Sequence, residues 1–374
     1  MPKPRHLLHA FSTFAVGGPE VRSCDLINHF GERYRHTIIA MDGRYDCKAK
    51  LQSGAPVTYL EVENFRQNLV KNVQQFSRLL NQLKPDVLLT YNWGSIEWGL
   101  ANALSRVCPH FHWEEGFAPE EVVRQKKRRI YARRLFLARA DKIVVPSRVL
   151  ERIAQQVWQF PASRVLYIPN GVDVVKYSRS PSHEHNLTSL PAAFQSPTTL
   201  LVGTVATLRQ EKNIPRLIRV FTQATTNIDA KLVIVGNGPE YPALWQLVEE
   251  KQLSEKVLLL GHKDDPAEIV KQFDVFAISS DTEQMPISVL EAMAAACPVV
   301  GTDVGDISEM LAPANRDFLC PALAEDVFAT HLQCLLLDAD LRLQLGQQNH
   351  ERCQALFDKS VMYHHYETLY DFTG

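Results

Sequence analysis

The sequence predicts an α/β protein of two domains, each built on a parallel sheet that helices cover on both faces. Short apolar runs alternate with segments of helical periodicity, which is the pattern of strand–helix units in parallel sheets. The runs are apolar throughout, as expected of strands that are buried on both faces. The chain has 374 residues, which is more than one ordinary domain uses, and this length favours two domains.

Twelve apolar runs are predicted to be strands. Those of the first half are residues 6–13, 36–41, 56–62, 86–91, 108–113, 141–147 and 164–170. Those of the second half are residues 198–207, 230–238, 256–261, 273–279 and 297–302. Helical patterns occupy residues 65–82, residues 95–106 and most of the tail from about residue 322.

The break between the two halves lies near residues 169–171. The stretch at 178–197 is rich in Ser, Pro and His and lacks periodicity, so we interpret it as a linker or surface loop. We therefore predict a first domain at residues 1–170 and a second at residues 171–357. Ligands of parallel sheets bind beyond the carboxyl ends of the strands, and two such units predict a central cleft.

Composition and charge exclude several classes of protein. Hydrophobic residues make up 45% of the chain and charged residues 22%, as in a globular protein with two cores. The net charge of −2 argues against wholesale nucleic-acid binding. The seven cysteines are scattered and never form Cys-x-x-Cys, which fits a reducing compartment rather than a disulfide framework or a zinc site. We therefore expect a cytoplasmic protein.

The first residues superficially resemble a signal peptide. His6, His9, Ser12 and Thr13 interrupt the apolar run, and no small-x-small cleavage site follows. We interpret this segment as a buried first strand. No apolar stretch approaches the ~20 residues that span a bilayer.

Two glutamates flank the start of a predicted helix in the stretch 281–293, "DTEQMPISVLEAM". Pro286 suits the first turn of a helix, and the residues after it are good helix formers. Glu283 is then predicted on the loop that follows a strand, and Glu291 lies just over one turn into the helix. The alternative is that both carboxylates are solvated or cap the helix.

The start of this helix predicts a phosphate site. The backbone N–H groups of Ile287, Ser288 and Val289 are the free donors there, and such donors attract phosphate. A bound diphosphate would have Glu283 on one side, near sugar hydroxyls, and Glu291 on the other, near the hydroxyls of a ribose.

Other strand ends of the second half carry residues that suit a nucleotide ligand. Arg209 and Lys212 follow a strand and can neutralise a leaving diphosphate, although a solvated basic turn is the alternative. Gly236 and Gly238 end another strand in a turn that admits close backbone approach. Tyr241 stands where the dinucleotide-binding fingerprint requires Gly or Ala, so that fingerprint is incomplete.

Two further strand ends carry candidate ligand contacts. His262 follows a strand of the second half, at a plausible place for a base. Gly17 and Gly18 open a helix after the first strand, where their backbone amides can approach a ligand. A plain tight turn is the competing interpretation of the glycine pair.

Five motifs stand in the order and spacing of one enzyme family: "VGGPEVR", "IPNGVD", "TLRQEKN", "IVGNGPE" and "EQMPISVLEAM". The chain thus resembles the family-four retaining glycosyltransferases over nearly its whole length. The resemblance implies the GT-B fold, with a nucleotide-sugar donor on a C-terminal Rossmann-like domain and an acceptor largely on an N-terminal one. It also implies that a last helix, at residues 358–374, packs back on the first domain.

The resemblance assigns roles to single residues. Glu283 matches the family's glutamate that contacts the donor sugar, and Glu291 matches the one that holds the ribose. Lys212 matches the lysine on the diphosphate. Gly17 and Gly18 match the loop that closes over the phosphates near the acceptor.

Three positions depart from the family pattern. Ala206 and Thr207 occupy places where Gly-Arg is usual, and Arg209 is the candidate substitute. Ala296 ends a helix where glycine is usual, and a non-glycine residue in a left-handed cap costs roughly 1–2 kcal/mol.

The third departure lies in the first half. Many members have His-Asp near the sugar at the end of a strand, whereas Glu114 and Glu115 occupy that place here. We select Glu114 as the candidate catalytic residue, and Glu115 and His112 are the alternatives.

The expected mechanism uses neither a metal nor a resident cofactor. The run Asp-Ala-Asp at 338–340 lies in the helical tail and is predicted to cap a helix rather than to hold a metal. Lys212, Arg209 and the helix start near Pro286 would then stabilise the leaving diphosphate. No confident candidate for a glycosidase-like nucleophile is seen. The resemblance implies that the acceptor attacks from the leaving-group side and that the donor phosphate takes its proton.

A basic run lies at residues 124–140, with eight Lys or Arg residues and no acid. Its charges spread around most of a helix circumference, so it is not a clean amphipathic membrane helix. The run is either a solvated helix or a surface that docks anionic lipid or a polyanionic acceptor through Lys126, Lys127 and Arg128.

The sequence therefore predicts a retaining glycosyltransferase with a nucleotide-sugar donor, most simply a UDP-sugar, that forms an α-linkage. The expected acceptor is a glycan or a lipid-linked saccharide at the cytoplasmic face of a membrane, and no nucleic acid is expected as a partner. Alternatives are a GT-B epimerase, a pyridoxal-phosphate-dependent phosphorylase and a nucleotide-sugar-binding protein without activity. A nicotinamide oxidoreductase is disfavoured by the incomplete fingerprint at 235–240.

Overall fold

The chain folds into two α/β units in a computed structural model that describes residues 3–61, 68–116, 125–179, 190–196 and 198–372. The first unit is Met1–Ile168 with Tyr363–Gly374, and the second is Pro169–Met362. The chain therefore passes into the second unit at Ile168 and returns to the first within its last helix.

The first unit contains a seven-stranded parallel sheet. Its strands are β1 (Arg5–Phe11), β2 (Tyr34–Ala40), β3 (Val57–Tyr59), β4 (Val87–Tyr91), β5 (His110–Trp113), β6 (Lys142–Val145) and β7 (Val165–Tyr167). Their order is β3-β2-β1-β4-β5-β6-β7, which is that of a doubly wound sheet extended by one strand. The helices are α1 (Gly18–Phe30), α2 (Leu69–Leu83), α3 (Ile96–Ser105), α4 (Lys127–Phe136) and α5 (Arg148–Gln156).

The second unit contains a six-stranded parallel sheet in the order β10-β9-β8-β11-β12-β13. Its strands are β8 (Leu200–Val205), β9 (Ala230–Val235), β10 (Val257–Gly261), β11 (Val275–Ile278), β12 (Val299–Thr302) and β13 (Leu319–Cys320). Helices α6 to α9 are Val174–Tyr177, Ile214–Ala224, Tyr241–Glu250 and Ala267–Val270. Helices α10 to α14 are Ile287–Ala294, Ile307–Met310, Glu325–Leu337, Ala339–Phe357 and Lys359–Tyr370.

All twelve predicted strands are present, most of them shorter than the apolar run that predicted them, whereas β2 begins two residues earlier than predicted. The short strand β13 was not predicted, because two residues carry no periodicity. The helical predictions at 65–82 and 95–106 correspond to α2 and α3, with residues 62–67 outside the described ranges. Both sheets are covered by helices, and β1, β4 and β8 are almost entirely buried. Most of the buried side chains in these strands are apolar, but His6, His9 and Thr90 are buried among them.

The predicted linker at 178–197 is described only in part. Leu190 and Phe194 are buried in the core of the second unit, so this portion is packed rather than a free linker. Residues 180–189 and 197 lie outside the described residues.

The last helix contributes several contacts to the first unit. Trp113 Nε1 donates a hydrogen bond to the hydroxyl of Tyr366 (3.0 Å), and the hydroxyl of Tyr363 donates to Asp25 (2.8 Å). The hydroxyl of Tyr34 also donates to Asp371, which follows the helix (2.7 Å).

Helix ends follow local side-chain chemistry. The N–H of Leu341 donates to Asp338 Oδ1 (2.9 Å), so the Asp-Ala-Asp run caps α13 as predicted. Ala296, just beyond α10, has φ 53°, so this helix end keeps the left-handed conformation although it has no glycine. A Cβ at Gly346 of α13 would lie 2.1 Å from the Ala296 carbonyl oxygen, so the neighbouring helix packs tightly against this turn.

No helix in the described portion of the chain is both long and apolar enough to traverse a bilayer. The described residues also contain no group of three or more His, Cys, Asp or Glu side chains that could hold a metal ion. The metal-free mechanism stays a prediction.

Candidate active site

A pocket of about 330 Å³ lies at the carboxyl edge of the second sheet. Residues that follow β8, β9, β10 and β11 line it, together with the start of α10. Of the residues predicted from the sequence, the lining contains Lys212, Gly236, His262, Glu283, Pro286, Ile287, Ser288 and Glu291. Parallel strands bring their carboxyl ends to one edge, which is why residues far apart in the chain meet here.

Lys212 and Glu283 form an ion pair across this pocket. Lys212 Nζ lies 2.6 Å from Glu283 Oε1, with side-chain exposures of 22% and 9%. The hydroxyl of Ser280 donates a second hydrogen bond to the same oxygen (2.7 Å). The pair is partly open to solvent, so a ligand anion can replace Glu283 as the partner of Lys212.

The backbone around Glu283 is held by neighbouring turns. Gly305 has φ 61°, and a Cβ there would lie 2.4 Å from the carbonyl oxygen of Glu283. The Thr302 hydroxyl donates to the carbonyl oxygen of Ser280 (2.7 Å). Gly305 and Thr302 therefore position Glu283, although the sequence pattern did not single them out.

Helix α10 begins one residue later than predicted, and this changes its donors. Pro286 is the N-cap, with φ −69° and ψ 121°. The N–H of Val289 donates to the carbonyl oxygen of Pro286 (3.1 Å), and the Val289 side chain is fully buried. The predicted ligand contact of Val289 is therefore wrong, and Ile287 and Ser288 carry the N–H groups at the open helix end.

Glu291 lies one turn further along α10 and has a buried partner. The hydroxyl of Tyr177 donates a hydrogen bond to Glu291 Oε1 (2.7 Å). Burial raises the pKa of Glu291, and this outweighs the lowering by the Tyr177 hydrogen bond and by Lys176. Tyr177 was not predicted, because its place beside an aperiodic stretch gave no sign of a partner 114 residues away.

The two glycines after β9 admit close backbone approach, here of the protein's own loops. Gly236 has φ 142°, and a Cβ there would lie 1.8 Å from the carbonyl oxygen of Ala206. A Cβ at Gly238 would lie 2.4 Å from the carbonyl oxygen of Leu208. The glycines thus allow two loops of the protein to pack together. Gly236 also lines the pocket, whereas the described lining does not include Gly238.

Arg209 is not placed beside Lys212 in the pocket. Its side chain is exposed and lines a smaller neighbouring pocket of about 200 Å³ with Asp281 and Glu240. Thr207 lines the main pocket, so the expected replacement of the family arginine by Arg209 has no support in this geometry. His262 is exposed at the rim, with its Nε2 atom 3.5 Å from Asp264 Oδ1.

In the first unit, the glycine pair begins α1 as predicted. Gly17 is the N-cap, and a Cβ there would lie 2.5 Å from Glu20 Oε2, whereas a Cβ at Gly18 would meet open space. Burial raises the pKa of Glu20 to about 7, with a further contribution from Glu115 and an opposing one from Arg22. Glu20 was not predicted, and its raised pKa in the first turn of α1 marks it as a candidate functional carboxyl.

Glu114 is not available to contact a substrate. It is 1% exposed, its Oε2 accepts from Arg133 Nε at 2.9 Å, and His112 Nε2 lies 3.6 Å from the same oxygen. Burial alone would raise the pKa of Glu114, but Arg133 and His112 hold it below its usual value. The predicted catalytic role is therefore contradicted by a closed internal ion pair.

The two alternatives to Glu114 are also engaged within the first unit. Glu115 pairs with Arg22 of α1, with side-chain exposures of 14% and 9%. His112 is fully buried, with its Nδ1 atom 2.8 Å from the Thr90 hydroxyl. Glu114 and His112 are closed to a ligand, whereas Glu115 is partly exposed and its contact with the sugar stays a prediction.

The basic run is divided between buried and exposed positions. Arg133 pairs with Glu114, and Arg134 donates to the carbonyl oxygens of Trp158 and Val157. The predicted surface residues Lys126, Lys127 and Arg128 are exposed. Arg124 lies outside the described residues.

Two family models match the chain. The "Glycosyltransferase Family 4" model matches residues 16–176, and the "Glycosyl transferases group 1" model matches residues 191–352. This chain belongs to the group 1, family 4 glycosyltransferases. The family predicted from the five motifs is confirmed. The first match lies mostly in the first unit and ends a few residues into the second, and the second match lies wholly in the second unit.

Named relatives match parts of the chain. It is 31% identical over 166 residues to the N-acetyl-alpha-D-glucosaminyl L-malate synthase of Bacillus anthracis, covering 44% of each chain. It is 33% identical over 156 residues to the N-acetylgalactosamine-N,N'-diacetylbacillosaminyl-diphospho-undecaprenol 4-alpha-N-acetylgalactosaminyltransferase of Campylobacter jejuni, covering 41% of this chain and 42% of that one. The chain therefore spans less than half the length of either relative in these matches.

Solved structures share the fold. The crystal structure of Anabaena HepE in complex with UDP and glucose has a TM-score of 0.79 and 19% identity, covering 98% of this chain and all of that one. Sucrose-phosphate synthase of Thermosynechococcus elongatus has a TM-score of 0.74 and 20% identity, covering 98% of both chains. These similarities confirm the predicted GT-B fold.

Proposed function

We propose that this protein is a retaining glycosyltransferase that moves a sugar from a UDP-sugar to a glycan or lipid-linked acceptor with α-linkage. The observation that carries the proposal is the Lys212–Glu283 ion pair beside the start of α10, with Glu291 in the same pocket. These residues supply a cation for a diphosphate, a carboxylate for a sugar and a carboxylate for a ribose.

The pocket suits a diphosphate because three donors converge there. The N–H groups of Ile287 and Ser288 lie at the helix start, and Lys212 Nζ lies opposite Glu283. On binding, Lys212 would exchange Glu283 for the phosphate oxygens. Glu283 would then be released to accept hydrogen bonds from sugar hydroxyls, a change that favours the bound state at both ends of the pair.

The proposed chemistry requires neither a metal nor a resident cofactor. Negative charge that develops on the leaving diphosphate is stabilised by Lys212 and by the two amides of α10. The acceptor hydroxyl attacks the anomeric carbon from the face that the diphosphate leaves. The donor phosphate takes the hydroxyl proton. Because the acceptor attacks on the same face that the diphosphate leaves, the new glycosidic bond has the configuration of the old one.

Relatives support UDP and a saccharide or lipid-linked acceptor. Anabaena HepE, whose fold is similar, was crystallised with UDP and glucose. The Campylobacter jejuni relative is named for transfer to a saccharide carried on diphospho-undecaprenol. We extend to this chain the uridine nucleotide of the former and the lipid-linked acceptor of the latter.

We also propose that α4 binds an anionic membrane surface. Lys127, Tyr131 and Leu135 are spaced four residues apart on this helix, and Tyr131 and Leu135 are 64% and 63% exposed. Lys126 and Arg128 on either side of Lys127 are also exposed, so basic and large apolar side chains are mixed on the exposed surface of α4. Such a surface suits the interface of a bilayer that contains anionic lipids.

Liposome flotation tests the membrane proposal. Reversing Lys126, Lys127 and Arg128 to Glu is expected to abolish flotation with vesicles that contain phosphatidylglycerol. A control variant reverses three exposed lysines elsewhere, Lys84, Lys251 and Lys256, and changes the net charge by the same amount. Equal flotation of the wild type and the α4 variant would reject the proposal.

The donor proposal is tested by a thermal-shift panel of UDP, GDP, ADP and their common sugar conjugates. We expect UDP compounds to raise the melting temperature, since a ligand that binds only the folded state stabilises it. Incubation of the stabilising UDP-sugar with and without saccharide acceptors then separates transfer from epimerisation. A panel in which no uridine nucleotide stabilises the protein would reject the UDP assignment.

A further inference from the structure

Tyr177 lies directly behind the carboxylate that is expected to hold the ribose. It is the last residue of α6, and its hydroxyl lies 2.7 Å from Glu291 Oε1. Tyr177 is 5% exposed and is not among the residues that line the pocket, whereas Glu291 is. The tyrosine therefore acts on a ligand only through Glu291.

The surroundings of Glu291 leave Tyr177 as its closest polar partner. Lys176 draws Glu291 toward the charged form, but its Nζ atom lies 2.9 Å from Asp265 Oδ1, and Asp265 opposes that effect. Burial raises the pKa of Glu291, and the Tyr177 hydrogen bond is the largest influence in the other direction. Burial and the neighbouring Glu291 also raise the pKa of Tyr177, so its hydroxyl keeps the proton that it donates.

The protonation state of Glu291 decides how it can bind a ribose. An ionised carboxylate only accepts hydrogen bonds, and it can take those of two adjacent ribose hydroxyls while Tyr177 occupies one further lone pair. A protonated carboxyl carries a hydrogen of its own and loses part of this capacity. The position of the Glu291 carboxylate must also be fixed, because it has to accept hydrogen bonds from both ribose hydroxyls at the same time.

We propose that Tyr177 is a positioning residue for nucleotide binding, which holds Glu291 ionised and in a single orientation toward the ribose. This inference rests on the proposed function, because it requires a nucleotide in the pocket. Tyr177 also packs in the core of the second unit, so its aromatic ring has a structural role that its hydroxyl does not share.

Calorimetric titration with UDP between pH 5.5 and 8.5 separates the two roles. In Tyr177→Phe, which keeps the ring, we expect about ten-fold weaker UDP binding at pH 7.5, the usual effect of losing a hydrogen bond to a charged group. The pH below which UDP affinity falls should also move upward in this variant. The reason is that the hydrogen bond from Tyr177 favours ionised Glu291, and the variant lacks it. In Glu291→Gln, the part of this pH dependence that comes from the carboxyl should disappear, and the part that comes from the terminal phosphate of UDP should remain.

A double-mutant cycle provides the decisive readout. Tyr177→Phe should cause no further loss of UDP affinity in the Glu291→Gln background, since its effect passes through the carboxylate. Tyr241→Phe is the matched control: its partly buried hydroxyl lies 3.4 Å from the Leu259 carbonyl oxygen in the same unit and should not affect UDP affinity.

The outcomes distinguish this inference from the proposed function. Wild-type protein that does not bind UDP overturns the proposed function. UDP binding that Tyr177→Phe leaves unchanged, or that it weakens equally in both backgrounds, overturns the role of Tyr177 alone. A loss that depends on Glu291, together with the upward pH shift, supports it.

Discussion

The two units hold their buried ion pairs in opposite ways. In the second unit, Lys212 and Glu283 are 22% and 9% exposed and line a pocket. In the first unit, Glu114 and Arg133 are each 1% exposed. An open pair can exchange one partner for a ligand, whereas a closed pair can only be broken at a large cost. The exposure of the pair and its place in a pocket lining therefore distinguish Glu283, a candidate catalytic glutamate, from Glu114, a structural one. The residue type alone does not.

Breaking the closed pair should give the largest effect, and the effect should be on stability. Arg133→Met leaves Glu114 buried without its guanidinium partner, which we expect to lower the free energy of unfolding by about 3–5 kcal/mol. Urea denaturation measures this change. The control is Arg219→Met, which removes the mostly exposed partner of Glu325 and should cost no more than ~1 kcal/mol.

The same variant can contradict the comparison. Arg133→Met that keeps wild-type stability but loses sugar transfer would return Glu114 to a catalytic role. Folded Arg133→Met is expected to bind UDP within about two-fold of the wild type, because the residues that line the proposed nucleotide pocket lie in the second unit.

Breaking the open pair should affect catalysis instead. Glu283→Gln is expected to lower transfer about 100-fold, a typical effect of losing a polar group that stabilises the transition state. UDP affinity should stay equal or rise by roughly two- to five-fold, because Lys212 no longer has to leave a carboxylate. Calorimetry and an assay of released UDP measure the two effects separately.

Lys212→Met is the matched partner of that experiment. It removes the other half of the pair, and UDP affinity should fall about ten-fold or more because a charge-assisted contact to phosphate is lost. Equal losses of UDP affinity in Glu283→Gln and Lys212→Met would show that the pair is a structural unit and not an exchangeable one.

The contrast between the pairs also explains what the sequence could predict. Glu283 and Lys212 each follow a strand of one parallel sheet, so their meeting at its carboxyl edge follows from strand order alone. Glu114 and Glu115 are adjacent acids, and the sequence does not tell which cation each one meets. Their partners lie on α4 and α1 respectively, and only packing brings them together.

Tyr177 and Val289 show, for single hydrogen bonds, the same limit of prediction from sequence. The role of the Tyr177 hydroxyl depends on its contact with Glu291, which lies 114 residues away in the chain. The N–H of Val289 was expected to be free, but it donates a hydrogen bond to the carbonyl oxygen of Pro286, three residues earlier. Periodicity predicts elements well, whereas single hydrogen bonds depend on backbone geometry that it does not encode.

Glu20 differs from Glu114 and Glu115 of the first unit, which each pair with an arginine, and the pH dependence of stability should show the difference. Its pKa is raised to about 7 in the folded protein from an ordinary 4.5, so the folded state binds the extra proton between these values. The free energy of unfolding is therefore highest, with respect to this group, below pH 4.5, where Glu20 is protonated in both states. It decreases as the pH rises and has lost this contribution once the pH has passed 7. Glu20→Gln should therefore be about 2 kcal/mol more stable than the wild type at pH 8 and nearly equal to it at pH 5.

Urea denaturation at pH 5, 6, 7 and 8 measures this difference. Glu32→Gln, which changes an exposed glutamate of the same unit, serves as the control and should follow the wild type at every pH. Parallel pH profiles of Glu20→Gln and the wild type would mean that Glu20 is ionised although it is buried, and would contradict the prediction.

The smallest expected effect comes from the far end of α10. Ala296 adopts φ 53°, so Ala296→Gly should raise the free energy of unfolding by about 1 kcal/mol through relief of backbone strain. The nucleotide site lies at the opposite end of the same helix, where Pro286 and Ser288 line the pocket. If the open pair depends only on contacts at that end, UDP affinity will not change. A variant that becomes more stable but binds UDP more weakly would show instead that the strained turn holds α10 in its binding position, and the site would then extend along the whole helix.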